Sequence, residues 1–85
     1  MITFDYTLTD PMGLHARPAG LLVKEAKKYD SHITVTAKGQ TVDLLRLMAV
    51  MRLGTKAGDT VTFNVEGDDE IKASEELQSF LKENV

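Results

Sequence analysis

The 85-residue sequence predicts an α+β fold of order βαββαβα, in which one sheet buries a face beneath helices and leaves a threonine-rich face in water. Three observations lead there. Four short segments alternate apolar and polar residues with a period of two, three others repeat apolar residues at helical spacing, and threonine crowds the polar positions of the strands.

Ile2, Phe4, Tyr6 and Leu8 alternate with Thr3, Asp5 and Thr7, the pattern of a strand with one wet face. Thr9-Asp10-Pro11-Met12-Gly13 then gathers turn formers, and Pro18 suits the first position of a helix, where a missing N–H costs nothing. Ala19, Leu22, Val23 and Ala26 share one face of a helix over about 18–28, with Lys24, Glu25, Lys27 and Lys28 largely on the other. Ile33 and Val35 alternate with His32, Thr34 and Thr36, Lys38-Gly39 supplies a tight turn, and Gln40-Thr41-Val42 returns the chain as a hairpin. Asp43 can accept hydrogen bonds from the first N–H groups of a short helix over about 44–52, closed by Gly54. Val61, Phe63 and Val65 alternate with Thr60, Thr62, Asn64 and Glu66 as a fourth strand. Gly67-Asp68-Asp69 makes a turn and an N-cap for the last helix, along which Ala73, Leu77, Phe80 and Leu81 recur, with Glu70 and Lys82 opposing the partial charges of its ends.

Size and composition bound the function. Residues 1–85 make one small domain, with 42% hydrophobic and 27% charged residues as in an ordinary globular protein. The absence of cysteine excludes disulfides and thiolate metal or redox centres, which fits a reducing cytoplasm. The opening residues lack the blocks of a signal peptide, and no segment approaches the roughly 18 apolar residues of a membrane span, so a cytoplasmic location is expected. A net charge of −3 gives no general attraction to nucleic acid or anionic lipid. A phosphate loop of the G-x-x-x-x-G-K type is missing, as is a recognisable Ser, His and acid set. His15 and His32 fall on different elements, and neither a metal nor a cofactor is expected.

The chemistry concentrates before the first helix. Where Ser, Thr, Asp or Asn usually caps, the chain has His15, Ala16 and Arg17, so backbone N–H groups from Ala16 onward lack an obvious internal partner. Those donors, at the positive end of the helix dipole, make an anion site for which phosphate is the natural guest. Gly13 and Pro18 can hold it in shape, and Arg17 adds a planar guanidinium able to grip phosphate oxygens in a two-pronged manner. The positive field disfavours imidazolium at His15, leaving an uncharged ring nitrogen as nucleophile and a labile P–N bond after attack on a phosphoryl donor. The alternative for each residue taken singly is ordinary: a surface histidine near a helix start and a solvated arginine.

The stretch Gly13-Leu14-His15-Ala16-Arg17-Pro18-Ala19 resembles the active-site signature of the HPr family, the small histidine-containing phosphocarriers of the bacterial sugar phosphotransferase system. The resemblance continues through Val23-Lys24-Glu25-Ala26, Ile33-Thr34-Val35, Lys38-Gly39, Leu47-Met48-Ala49-Val50-Met51 and Gly67-Asp68-Asp69-Glu70. It implies an open-faced sandwich with a four-stranded antiparallel sheet covered on one face by three helices. It also implies a stoichiometric carrier rather than a turnover enzyme: a phosphoryl group passes from enzyme I to Nδ1 of His15 and on to IIA domains of sugar permeases, with Arg17 stabilising the phosphate. Nothing requires more than a monomer.

Leu47, Met48 and Met51 cannot all face inward on a helix of barely two and a half turns, and exposed Leu and Met beside charges make a docking surface. The resemblance assigns docking on enzyme I and IIA domains to the first two helices, with Arg46, Arg52, Lys24 and Lys27 as a rim suited to acidic partners. Many family members carry a regulatory serine at the start of the second helix, where this chain has Arg46, so a serine-kinase switch does not transfer. Leu45 and Met12 also depart from the usual residues. The alternative reading is therefore a specialised or regulatory paralogue, an interaction module that uses this surface without phosphorylation of His15.

Overall fold

Strand alternation decides which side of the sheet is buried, and the order of the strands decides which helix ends reach the same edge. The computed structural model describes residues 1–85 as β1 (Ile2–Thr7), α1 (Ala16–Ala26), β2 (His32–Ala37), β3 (Gln40–Asp43), α2 (Leu47–Met51), β4 (Thr60–Glu66) and α3 (Glu70–Asn84). The sheet runs β1-β4-β2-β3 and every neighbouring pair is antiparallel. The last strand in sequence thus lies between the first two, so the connection through α1 crosses over it.

Phe63 of β4 sits at the centre of the core, opposite Phe4 of β1 and Val35 of β2. Its ring stacks on Phe4 with centroids 5.3 Å apart. Val35, Val61, Phe63 and Val65 from the sheet meet Leu22 of α1, Val50 of α2, and Leu77 and Leu81 of α3, all fully buried. Truncating Phe63 to alanine is expected to cost about 3–5 kcal/mol, from lost burial plus the cavity left behind. On the open face, polar side chains satisfy one another across strands: Thr3 Oγ1 donates to Asn64 Oδ1 at 2.8 Å, Thr62 Oγ1 to Asp5 Oδ1 at 2.7 Å, and Thr36 and Thr41 hydroxyls lie 2.7 Å apart. Lys38 and Gly39, with φ of 52° and 79°, turn the β2–β3 hairpin.

Three boundaries differ from expectation. Helix α1 starts at Ala16, which puts Pro18 third rather than first. The first three N–H groups of any helix lack an internal acceptor, so proline fits each of those places and does not mark the start. The helix ends at Ala26, two residues early, and turns follow it. Helix α2 begins at Leu47 rather than 44, because β3 continues to Asp43 and the buried Leu44 still donates its N–H to the Ile33 carbonyl at 2.9 Å. Asp43 Oδ1 accepts the Leu45 N–H at 2.8 Å in a turn ahead of the helix instead of capping it. Asp69 occupies the N-cap position of α3, yet its carboxylate accepts from Ser31 Oγ and, at 3.0 Å, from the Asp30 amide.

Candidate functional site

The segment between β1 and α1 is folded by its own polar groups before it reaches His15. Asp10 organises it: its carbonyl accepts the Gly13 N–H at 2.8 Å and its Oδ1 the Met12 N–H at 2.9 Å. Gly13 has φ of +62°, and a Cβ there would stand 2.1 Å from the Thr55 carbonyl oxygen, so only glycine fits both the dihedral and the space. The next residue, Leu14, is buried and donates its N–H to Thr55 Oγ1 at 3.0 Å.

His15 is the N-cap residue of α1, with extended backbone (φ −81°, ψ −171°) and no side-chain hydrogen bond back to the helix. Its carbonyl accepts the Ala19 N–H at 2.9 Å, the first bond of the helix. The Ala16 and Arg17 amides have no acceptor in the chain, and Pro18 has no amide to offer. Two donors therefore remain open at the positive end of an 11-residue helix.

The His15 side chain is 35% exposed, and its Nε2 lies 3.4 Å from Asp10 Oδ1. This is long for a hydrogen bond but close for a charge. Nδ1 is the ring nitrogen that does not face this carboxylate. Arg17 is exposed, forms no ion pair, and lines a cleft of about 170 Å³ together with Asp10. On the other side of the loop, His15 borders a cleft of about 430 Å³ with Met12, Leu14, Met51, Thr55 and Lys56.

The residues expected at the site are thus unevenly gathered. His15, Ala16 and Arg17 share one helix start, and Met51 joins His15 across the larger cleft. Leu47 and Met48 are exposed on α2, as are the flanking Arg46 and Arg52, while Lys24 on α1 and Lys27 just past its end are exposed; none of these six lines either cleft. Met12 and Leu45 add exposed apolar surface, at 67% and 49%. Three neighbours of His15 escaped the sequence reading as site residues: Asp10 read only as a turn former, and Thr55 and Lys56, forty residues away, follow no periodic pattern that would place them beside the loop.

A family model for the HPr component phosphorylation site of the phosphotransferase system matches residues 2–83. The chain belongs to the HPr family. It is 42% identical to the phosphocarrier protein HPr of Buchnera aphidicola subsp. Acyrthosiphon pisum over 76 residues, which cover 89% of each chain. The structure of HPr from Thermoanaerobacter tengcongensis superposes with a TM-score of 0.91 at 34% identity, covering 99% of this chain and 94% of that one. A dimeric HPr from the same organism matches at 0.76 with 35% identity, over 98% and 95% of the two chains. The chain is thus a member of the HPr phosphocarrier family of the phosphotransferase system, built on the fold the sequence predicted.

Proposed function

We propose that His15 accepts a phosphoryl group from phospho-enzyme I and delivers it to IIA domains of sugar permeases, in the cytoplasm and as a monomer. The observation that carries this reading is the pair of acceptorless amides, Ala16 and Arg17, beside a partly exposed histidine.

Nδ1 supplies the electron pair. As its bond to phosphorus forms, the bond from phosphorus to enzyme I breaks and the electron pair returns to the donor. The phosphoryl oxygens receive the Ala16 and Arg17 N–H groups, which stand ready and need no reorganisation, and the Arg17 guanidinium adds a permanent charge. Phosphorylation at Nδ1 leaves positive character on the ring, which the Asp10 carboxylate beside Nε2 offsets. Delivery to a IIA domain reverses these steps. Leu47, Met48 and Met51 supply apolar contact area, and Arg46, Arg52, Lys24 and Lys27 supply a rim for acidic partners. With Arg46 in place of a serine, the carrier runs without a serine-kinase switch.

The test is incubation with phosphoenolpyruvate and enzyme I. The expected result is a mass gain of about 80 Da, one phosphoryl unit, labile in acid and stable in base. Absence of the gain, or its survival in His15→Ala, overturns the reading. Partner binding that is indifferent to His15→Ala would instead favour an interaction module, and sedimentation against a dimeric HPr tests the monomer.

A further inference from the structure

We infer that Thr55 is a positioning residue for His15, holding the main chain before the histidine so that Nδ1 and the open amides of α1 keep one relative geometry. This deepens the phosphocarrier reading and rests on it.

The backbone around His15 is gripped on both sides. After the histidine, its carbonyl is tied into the helix by the Ala19 N–H at 2.9 Å. Before it, the only acceptor for the buried Leu14 N–H is Thr55 Oγ1, at 3.0 Å. A second contact between the same two loops acts one residue earlier, because Gly13 brings its Cα against the Thr55 carbonyl so closely that no side chain could intervene. Two consecutive residues ahead of the nucleophile are thus set by one residue of another loop.

That other loop is also anchored at points away from Gly13 and Leu14. Lys38 Nζ, from the β2–β3 turn, donates to the Gly54 carbonyl at 2.7 Å. The Lys56 amide donates to Asp59 Oδ2 at 2.9 Å, and Asp59 in turn accepts the Leu8 N–H through its carbonyl at 2.9 Å. Thr55 therefore transmits the position of the sheet and its turns to the histidine loop. Thr55 is 7% exposed, and valine of the same shape would fill its space without offering an acceptor. The hydroxyl has a purpose that packing does not supply: it satisfies a buried amide whose alternative is an unpaired N–H.

For a group that must meet phosphorus in line, a displacement on the order of 1 Å costs up to about a hundredfold in rate. The test compares Thr55→Val, which keeps the shape and removes the acceptor, with Thr55→Ser, which keeps the acceptor. Steady-state transfer from phospho-enzyme I should show kcat reduced roughly tenfold or more in Thr55→Val, with KM for the carrier within about twofold, and recovery of kcat in Thr55→Ser. Independently of any transfer, the Leu14 amide of the unaltered protein should exchange with deuterium as slowly as the hydrogen-bonded amides in the middle of α1. The amide resonances of His15, Ala16 and Arg17 should move in Thr55→Val and stay in Thr55→Ser.

Full kcat in Thr55→Val, equal losses in both variants, or a freely exchanging Leu14 amide in the unaltered protein would each overturn the inference. If the unaltered protein takes up no phosphoryl group, the phosphocarrier reading fails, and the exchange and resonance measurements alone decide the positioning role. A Thr55→Val protein that does not fold leaves the Leu14 exchange rate of the unaltered protein as the deciding measurement.

Discussion

The two ends of α1 carry opposite solutions to the same problem, and the contrast locates the chemistry. At the C-terminal end the chain supplies partners for its own amides and for the buried Glu25. Lys27, Lys28 and Tyr29 donate their amides back to Val23, Glu25 and Ala26, and Tyr29 Oη lies 2.6 Å from Glu25 Oε2 and 3.1 Å from Glu76 Oε1. Lys28 Nζ reaches Glu25 Oε1 at 3.0 Å, and Asp69 from the start of α3 takes the Asp30 amide and the Ser31 hydroxyl. At the N-terminal end the main chain is gripped just as firmly up to His15, but two amides and a guanidinium are left without acceptors. A helix end closed by its own side chains stabilises the fold. An end held rigid yet left open is complementary to something the chain does not contain.

The sharpest way to break the comparison is with the two histidines. His32 is also beside a carboxylate, with Nε2 3.0 Å from Asp43 Oδ2, but it lies on the open face of the sheet and does not cap a helix. His15→Ala should abolish phosphoryl uptake and His32→Ala should leave it intact, as read by intact mass after incubation with enzyme I. Equal loss in both would deny that the open amides matter. Next in size, Arg17→Ala should slow uptake by about ten- to a hundredfold, the scale of one lost charge-stabilising donor, while moving the unfolding free energy by less than about 0.5 kcal/mol because the side chain is exposed and unpaired.

Stability depends on both ends. Gly13→Ala should cost about 2–4 kcal/mol in urea unfolding, since it combines a left-handed φ with a backbone collision. Gly20→Ala, within α1 and with open space around the added carbon, should gain about 0.5–1 kcal/mol. At the closed end, Tyr29→Phe should cost about 1–2 kcal/mol, the value of a hydrogen bond to a charged acceptor, with phosphoryl uptake unchanged.

The smallest effect is in pH. Burial by itself raises the Glu25 carboxyl, but the hydrogen bonds from Tyr29 and Lys28, with the Lys28 charge, outweigh it and hold the group below its ordinary value of 4.5. The Ser31 hydroxyl and the Asp30 amide likewise lower Asp69. A carboxyl lowered in the folded state stabilises it above the unfolded pKa, and that stability is lost as pH falls through the folded value. Urea midpoints should therefore fall between pH 5 and about 2.5, with a shallower fall in Glu25→Gln. The same burial, and then Glu25 and Glu76, push the Tyr29 hydroxyl far above its ordinary value. Ionisation of that tyrosine in the unfolded chain thus erodes stability above about pH 10.

Much of this architecture was legible in the amino-acid order because it depends on local periodicity. Val61, Phe63 and Val65 alternate whatever surrounds them, and Ala19, Leu22 and Ala26 share a face in any helix. The element boundaries were less legible, since they depend on long-range partners: Leu44 stays in the ladder because Ile33 offers a carbonyl, and the Asp69 carboxylate, at the N-cap position, turns from the helix to Ser31 and Asp30. The missing cap at His15 was visible in the sequence, and so was the permanent charge at Arg17.

By itself, then, the sequence determined the order of elements, the buried faces and the uncapped helix start, all of which follow from residues within a few positions of one another. Only the tertiary structure decided that Asp10 turns back to Nε2 of His15 and that Thr55 supplies the acceptor beneath Leu14. The Thr55 contact joins segments whose relative placement is fixed by sheet order and loop closure, and no spacing along the chain encodes it.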